Sequence, residues 1–171
     1  MAKKAALHYE GKVYEIPVVT GTEDEDALDI SKLRGQSGLI TLDRGFKNTG
    51  STESAITFLN GEKGILRYRG YSIEELAEKS SFLEVSWLLI YGKLPTQEEL
   101  EKFTKDISEH SLVHEDVKSI LDGYPSKAHP MGVLSSLVSA LTAFYPKSLD
   151  PNRSQEQITG TIIRFIAKLP T

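Results

Sequence analysis

Cysteine is absent from this chain of 171 residues, and several other marks of specialised proteins are absent or weak. Without cysteine there is no disulfide scaffold, no Cys-ligated zinc site and no thiol nucleophile. The formal net charge of −4 leaves no basic excess to neutralise a nucleic-acid backbone. A long uncharged run, residues 128–145, includes serine, threonine, His129 and Pro130, which is wrong for a membrane span. Because the start also lacks the apolar segment of a secretory signal, we expect a cytoplasmic globular protein.

The first part of the chain has the pattern of short strands and turns. Residues 7–16 predict one hairpin that turns at 10–12, and residues 54–69 predict a second. In the second, Asn60-Gly61 is expected to supply the positive φ angles of a tight turn. The acidic stretch 23–29 lacks the glycine and distant glutamate of a calcium-binding loop, so a solvated turn is the favoured interpretation.

From Tyr71 onward the pattern becomes helical. Four pairs of residues match the capping box, in which two residues three apart each accept a hydrogen bond from the other's backbone amide through a side-chain oxygen. The pairs are Ser72 with Glu75, Ser81 with Glu84, Thr96 with Glu99, and Ser154 with Gln157. Together with apolar periodicity they predict helices near 73–79, 82–91, 97–109, 114–121, 130–145 and 155–168. The predicted fold class is mainly α: a small β-rich N-terminal domain (1–70) followed by the first helices of a larger helical domain (71–171).

Two of these helices carry almost no charge. Glu84 is the single charged residue among residues 82–91, and residues 131–145 contain no charged side chain. A helix without a polar face is normally covered on nearly all sides. We therefore expect more polypeptide, a second copy of the chain, or both, to pack on them. The end of the chain, at the edge of an amphipathic helix, is likewise expected to be a loop position rather than a natural terminus.

Residues that could carry chemistry are few. His110 and His114 lie four apart but without the intervening glutamate of a zinc-protease motif, so junction histidines are favoured over a metal site. His129 precedes Pro130 and an apolar helix, which favours a capping or packing role. No glycine-rich phosphate loop and no nucleophile elbow is present. The sequence therefore assigns no catalytic residue and no metal ligand.

Arg164 and Lys168 form a cationic pair one helical turn apart. A solvated helix face is one interpretation. The other is an anion site, because two like charges at this spacing repel unless something negative lies between them.

Several segments, in order and at the right separations, resemble type II (hexameric-type) bacterial citrate synthases. They are 30–34, 38–46, 51–58, 61–73, 83–85, 92–96 and 129–131, followed by the helix that ends at 143–145. The element Tyr68-Arg69-Gly70-Tyr71 is shared across that superfamily. The resemblance implies a transferase of the tricarboxylic acid cycle that condenses acetyl-CoA with oxaloacetate and needs no cofactor. It also implies a homo-oligomer, either a dimer or a hexamer of dimers.

In that family the catalytic histidines and aspartate lie in the later half of much longer chains, and none of them maps onto this sequence. We therefore expect the chain alone to be inactive and prone to self-association. Two alternatives remain open. One is a 2-methylcitrate synthase, although the β-rich residues 1–60 favour the citrate enzyme. The other is a non-catalytic helical interaction module.

One family site does reach this segment, the allosteric site at which NADH inhibits many hexameric members. By motif position the matching residues are His110, Ser111, Leu112, Tyr145, Arg164 and Lys168. A pair of cations suits a diphosphate. The sequence departs from the pattern at Glu109, where a basic residue is usual, and at Leu112, where a methionine is usual.

Overall fold

The computed structural model describes residues 3–171 and divides into two compact units, one extending to Ser54 and the other from Ala55 to Thr171. The first unit holds an antiparallel sheet in the order β1-β2-β3 and one short helix. Its elements are β1 (Lys4–Tyr9), β2 (Lys12–Thr20), β3 (Asp26–Leu28) and α1 (Leu33–Ser37).

The first predicted hairpin is confirmed by the pairing of β1 with β2. Its turn has positive φ at Glu10 (49°) and Gly11 (73°), the pair of left-handed residues that a tight hairpin turn requires. Strand β3 was not expected, because residues 26–28 show too short a pattern to indicate a strand. Pairing with β2 gives the backbone N–H and C=O groups of β3 hydrogen-bond partners and makes β3 the third strand of the sheet.

The second unit begins with a small antiparallel sheet and continues as helices. Its elements are β4 (Thr57–Asn60), β5 (Ile65–Tyr68), β6 (Tyr71–Ser72), α2 (Ile73–Lys79), α3 (Phe82–Tyr91), α4 (Gln97–Glu109), α5 (Asp116–Asp122), α6 (Pro130–Phe144), a 3-10 helix (Pro146–Leu149) and α7 (Gln155–Lys168). The six predicted helices are present, with α5 beginning two residues later than expected. Because the second hairpin belongs to the helical unit, the units divide at residue 54, and the domain boundary after residue 70 stays a prediction.

The second hairpin is also confirmed, but its predicted turn is wrong in detail. The positive φ lies at Gly64 (64°), and Gly61 is not among the residues with positive φ in the described chain. Instead the Asn60 side chain accepts a hydrogen bond from the Lys63 amide at 3.0 Å. Asparagine therefore acts here through its side chain, as in an Asx turn, rather than through a left-handed backbone.

The capping pairs explain why the helices begin where they do. In α3, α4 and α7 the hydroxyl of the N-cap residue accepts a hydrogen bond from the backbone amide of the third helical residue. The side chain of that third residue accepts in turn from the backbone amide of the N-cap residue. Ser72 at α2 accepts from the Glu75 amide at 3.3 Å. A hydrogen bond from Lys93 and one from the Thr96 amide hold the pKa of Glu99 below its usual range. Asp116 begins α5 without a side-chain cap, which explains why that start was harder to predict.

The core of the second unit is small and lies among its helices. Its buried apolar side chains are Leu76, Leu88, Phe103, Val117 and Ala167. Helix α3 packs on α4, α4 on α7, and α5 on α6. Although α6 is strongly apolar, none of its residues is buried within the described chain. Within residues 3–171, no helix combines the length and apolar character that crossing a membrane requires.

Candidate functional site

A small concave pocket lies where the end of α6 and the 3-10 helix meet α7. Its lining includes Leu141, Thr142, Tyr145, Thr161, Arg164 and Lys168. The enclosed volume is about 30 Å³. That is room for only one or two waters, whereas pockets for drug-sized ligands usually measure about 300–1,000 Å³. The pocket is therefore a small cradle rather than a cavity that encloses a large ligand.

Tyr145 is the centre of this pocket, and two cations approach its ring. The Arg164 Cζ atom lies 5.2 Å and the Lys168 Nζ atom 5.6 Å from the ring centroid. Both distances are within the range of cation–π attraction. Tyr145 ends α6, and its amide donates to the Leu141 carbonyl at 3.1 Å. The helix end therefore presents the ring to the cationic side of α7.

Lys168 is buried, with 7% of its surface exposed, so the interpretation of a solvated helix face is wrong for this residue. Its ammonium donates to the carbonyls of His110, at 2.8 Å, and Leu112. These bonds explain how a lysine can be buried without an acidic partner, because carbonyl oxygens replace water around the charge.

Arg164 is half-buried and has a different set of partners. Its Nη2 atom donates to the Thr161 hydroxyl at 3.3 Å, within the same helix. Its Nη1 atom lies 3.6 Å from the position that a Cβ on Gly160 would occupy. Among residues 3–171 no carboxylate pairs with Arg164 or Lys168. The pocket therefore carries two positive charges without an acidic counterion.

The remaining predicted site residues lie just after α4. The His110 Nδ1 atom contacts the Asp106 carbonyl at 2.7 Å, and the Ser111 hydroxyl donates to Ser108 at 2.8 Å. The Leu112 side chain is 80% exposed. The Lys168 bonds join this segment to α7, so the structure brings all six residues into one neighbourhood. Glu109, at the position where the sequence departs from the family pattern, lies 3.8 Å from Lys105, which partly offsets its charge.

His114 and His129 do not line the pocket. The His114 ring stacks on Phe144 with the ring centroids 4.9 Å apart. His129 is the N-cap of α6 and accepts from the Met131 amide at 3.2 Å, which confirms the predicted capping role. In the part of the chain that the structure describes, no group of three potential metal ligands occurs.

Several residues in the pocket or next to it were not predicted from the sequence. Thr161 and Phe165 line the pocket beside Arg164 and Lys168. Their spacing of three and four residues along α7 is a signal that could have found them. Thr171, whose hydroxyl donates to the Ser111 carbonyl at 2.9 Å, has no such signal because its partner is distant in sequence.

Comparison with known proteins places this chain in one family. Residues 45–171 match the family model described as citrate synthase, C-terminal domain. Citrate synthase 1 of Mycobacterium tuberculosis H37Rv is 48% identical over 98% of this chain, and the citrate synthase of Corynebacterium glutamicum is 45% identical over the same share. The crystal structure of citrate synthase from Thermotoga maritima MSB8 matches 76% of this chain and 32% of that chain, with a TM-score of 0.63 and 32% identity.

The chain spans 38% of the length of the two curated relatives. The family model covers most of this chain, and the same family name comes from the sequence relatives and from the solved structure. The chain belongs to the citrate synthase family.

Proposed function

We propose that the full-length protein is a citrate synthase, a transferase that converts acetyl-CoA, oxaloacetate and water to citrate and CoA. The observation that carries the proposal is the 48% identity to Citrate synthase 1 of M. tuberculosis over 98% of this chain. We further propose that the chain is the N-terminal part of a cytoplasmic, type II enzyme whose catalytic residues lie beyond these 171 residues.

This proposal predicts activity in the full-length protein and none in the 171-residue chain. The assay is the release of CoA from acetyl-CoA in the presence of oxaloacetate, followed with a thiol reagent. Omitting oxaloacetate is the control for simple thioester hydrolysis. Oxaloacetate-dependent release by the 171-residue chain would overturn our placement of the catalytic residues outside it.

The related candidate is a 2-methylcitrate synthase, which would use propionyl-CoA. We favour the citrate enzyme because the β-rich leader is present, with its sheet β1-β2-β3. The two substrates differ by a single methylene, for which a hydrophobic pocket discriminates by about 10–200-fold. We expect kcat/KM to be higher for acetyl-CoA than for propionyl-CoA, and the reverse order would assign the methylcitrate activity.

We also propose a homo-oligomer, either a dimer or a hexamer of dimers. The apolar helix α6 supports this, because Met131 and Leu134 remain 61% and 40% exposed. Unpartnered apolar surface of this kind marks an interaction site. The same surface supports the alternative of a helical interaction module, which the CoA-release assay distinguishes from an enzyme.

For the cradle around Tyr145 we propose an allosteric site at which NADH inhibits the full-length enzyme. The support for this site is that Arg164 and Lys168 lie beside the Tyr145 ring without an acidic counterion. Two cations suit a diphosphate, and an aromatic ring suits a planar base. The small enclosed volume means that most of a dinucleotide would lie outside the cradle.

Titration of NADH fluorescence tests this site in the full-length protein. We expect Arg164→Met to weaken NADH binding by at least about tenfold, because a charge-assisted hydrogen bond contributes roughly 1.5–3 kcal/mol. Lys147→Met is the matched control, since Lys147 is exposed on the neighbouring 3-10 helix and does not line the pocket. A wild-type protein that does not bind NADH would refute the proposed site.

A further inference from the structure

In two places a residue with a side-chain carbonyl carbon one methylene from the backbone is followed by glycine. They are Asn60-Gly61, in the turn between β4 and β5, and Asp122-Gly123, at the end of α5. At such a pair the glycine amide nitrogen can attack the preceding side-chain carbon and close a five-membered succinimide ring, because glycine has no side chain to hinder the approach. Whether this happens depends on what holds the glycine amide and the side chain.

The Gly61 amide is not engaged in the fold. The pairing of β4 with β5 ends at Asn60 opposite Ile65, so Gly61 lies outside the ladder. Gly61 is exposed, and in the part of the chain that the structure describes no acceptor receives a hydrogen bond from its amide. The Gly123 amide, in contrast, donates to the Ile120 carbonyl at 3.2 Å. Of the two glycines, only Gly61 therefore offers an amide that water and base can reach.

The Asn60 side chain is held in a way that favours attack on its carbonyl carbon. Its Oδ1 atom accepts a hydrogen bond from the Lys63 amide at 3.0 Å. A donor at a carbonyl oxygen withdraws electrons from the carbon and stabilises the negative charge that develops on the oxygen during attack. Asp122 carries a carboxyl group, whose ionised form is a poorer electrophile than an amide. Both partners of the reaction are thus prepared at Asn60 and not at Asp122.

We propose that Asn60 is a site of spontaneous deamidation in the folded protein. The Gly61 nitrogen loses its proton to hydroxide and bonds to the Asn60 Cγ atom, while the Cγ–Nδ2 bond breaks and the side-chain nitrogen leaves as ammonia. One water then opens the succinimide at either carbonyl and leaves aspartate or isoaspartate at position 60. The net reaction converts an amide and water to a carboxylic acid and ammonia, so no oxidant or reductant is needed.

The two products differ in what they do to the hairpin. Isoaspartate carries the chain through its side chain and inserts a methylene into the backbone at the pair that closes the ladder opposite Ile65. We expect this product to speed amide exchange in β4 and β5, because the end of the ladder opens more easily. Aspartate adds a negative charge beside Glu62 but keeps an oxygen that can accept from the Lys63 amide, so the hairpin should persist.

Mass spectrometry of peptides from the full-length protein, incubated at mildly alkaline pH, tests the site. These 171 residues contain three asparagines, and Asn48 and Asn152 serve as internal comparisons because Thr49 and Arg153 place a side chain after them. We expect conversion at Asn60 to be at least about tenfold faster than at either, which corresponds to a barrier lower by about 1.4 kcal/mol. Retention of the amide at Asn60, or equal conversion at the three positions, would overturn the proposal.

The variant Gly61→Ala tests the identity of the nucleophile. Gly61 does not have a positive φ, and a Cβ at this position would meet nothing within 4 Å, so alanine should leave the hairpin folded. Its methyl group hinders the attack, and we expect deamidation of Asn60 to slow by at least about tenfold. Gly50→Ala is the matched control, because a Cβ on Gly50 also meets nothing within 4 Å and the rate at Asn60 should not change. An unchanged rate in Gly61→Ala would show that another group attacks.

Two further measurements separate the folded turn from the dipeptide alone. In a synthetic peptide of residues 57–66 the bond from the Lys63 amide to Asn60 is not held in place, so we expect the folded protein to deamidate at least as fast as the peptide. Slower reaction in the folded protein would mean that the turn protects Asn60. An isoaspartyl methyltransferase with a labelled methyl donor should detect isoaspartate at position 60 and not at position 122. Equal labelling at the two positions would overturn the difference that we assign to the two glycine amides.

Discussion

In the variant Leu88→Ala we expect the free energy of unfolding of the helical unit to fall by about 3 kcal/mol or more. Leu88 has no exposed surface, the lowest value among the buried residues of the described chain. Alanine in its place loses the transfer free energy of the removed carbons and leaves a cavity in α3 where that helix packs on α4. Denaturant unfolding followed through Trp87 measures the change.

Trp87 is the single tryptophan of the chain, and its position makes it a local reporter. Its ring lies 5.4 Å from that of Phe103 and 4.0 Å from that of Tyr91, centroid to centroid. Leu59→Ala is the matched control, because Leu59 on β4 is 70% exposed and should change the free energy of unfolding by less than about 0.5 kcal/mol. Similar losses in the two variants would show that the core is not organised around Leu88.

Replacing Arg69 by methionine is expected to lower the free energy of unfolding by about 2–3 kcal/mol. The Arg69 guanidinium donates to the Leu89 carbonyl at 2.8 Å and to the Ala55 carbonyl at 3.3 Å, while its own amide donates to Ile56 at 2.8 Å. It thus ties the start of the small sheet to the last turn of α3. Methionine keeps the apolar stem and removes the charged donors. Denaturant unfolding with the Trp87 signal again measures the loss.

Two further variants sharpen the Arg69 experiment. Arg69→Lys keeps one compact cation and should lose less stability than Arg69→Met. Arg44→Met is the control for removing an exposed arginine, with an expected change below about 0.5 kcal/mol. If Arg69→Met matches Arg44→Met, the hydrogen bonds to the two carbonyls do not stabilise the fold.

The role of Arg69 also gives a physical reason for the Tyr-Arg-Gly-Tyr element. Arg69 has φ of 50° and Gly70 has φ of 90°, so the chain turns sharply between β5 and β6. That left-handed turn directs the arginine to the carbonyl end of α3. The guanidinium carbon lies 3.9 Å from the position that a Cβ on Gly92 would occupy, which is an ordinary contact distance. From sequence the element was identified only by resemblance, because the partners of Arg69 belong to other elements.

The candidate site was predictable in part. Motif position alone grouped His110, Tyr145 and Arg164 with the rest of the predicted site, and the structure places these residues in one neighbourhood. The burial of Lys168 was not predictable, since a lysine on the polar side of an amphipathic helix is normally solvated. Only the approach of α4 supplied the carbonyls that allow it to be buried.

The sequence by itself determined the local features: the starts of α3, α4 and α7 and the two hairpins. These depend on residues close together in the chain, where a cap or a turn residue acts on its own backbone. The tertiary structure decided the pairing of β3, the partners of Arg69 and the different surroundings of Arg164 and Lys168. Each of those depends on groups far apart in sequence, whose hydrogen bonds form only after the elements have packed.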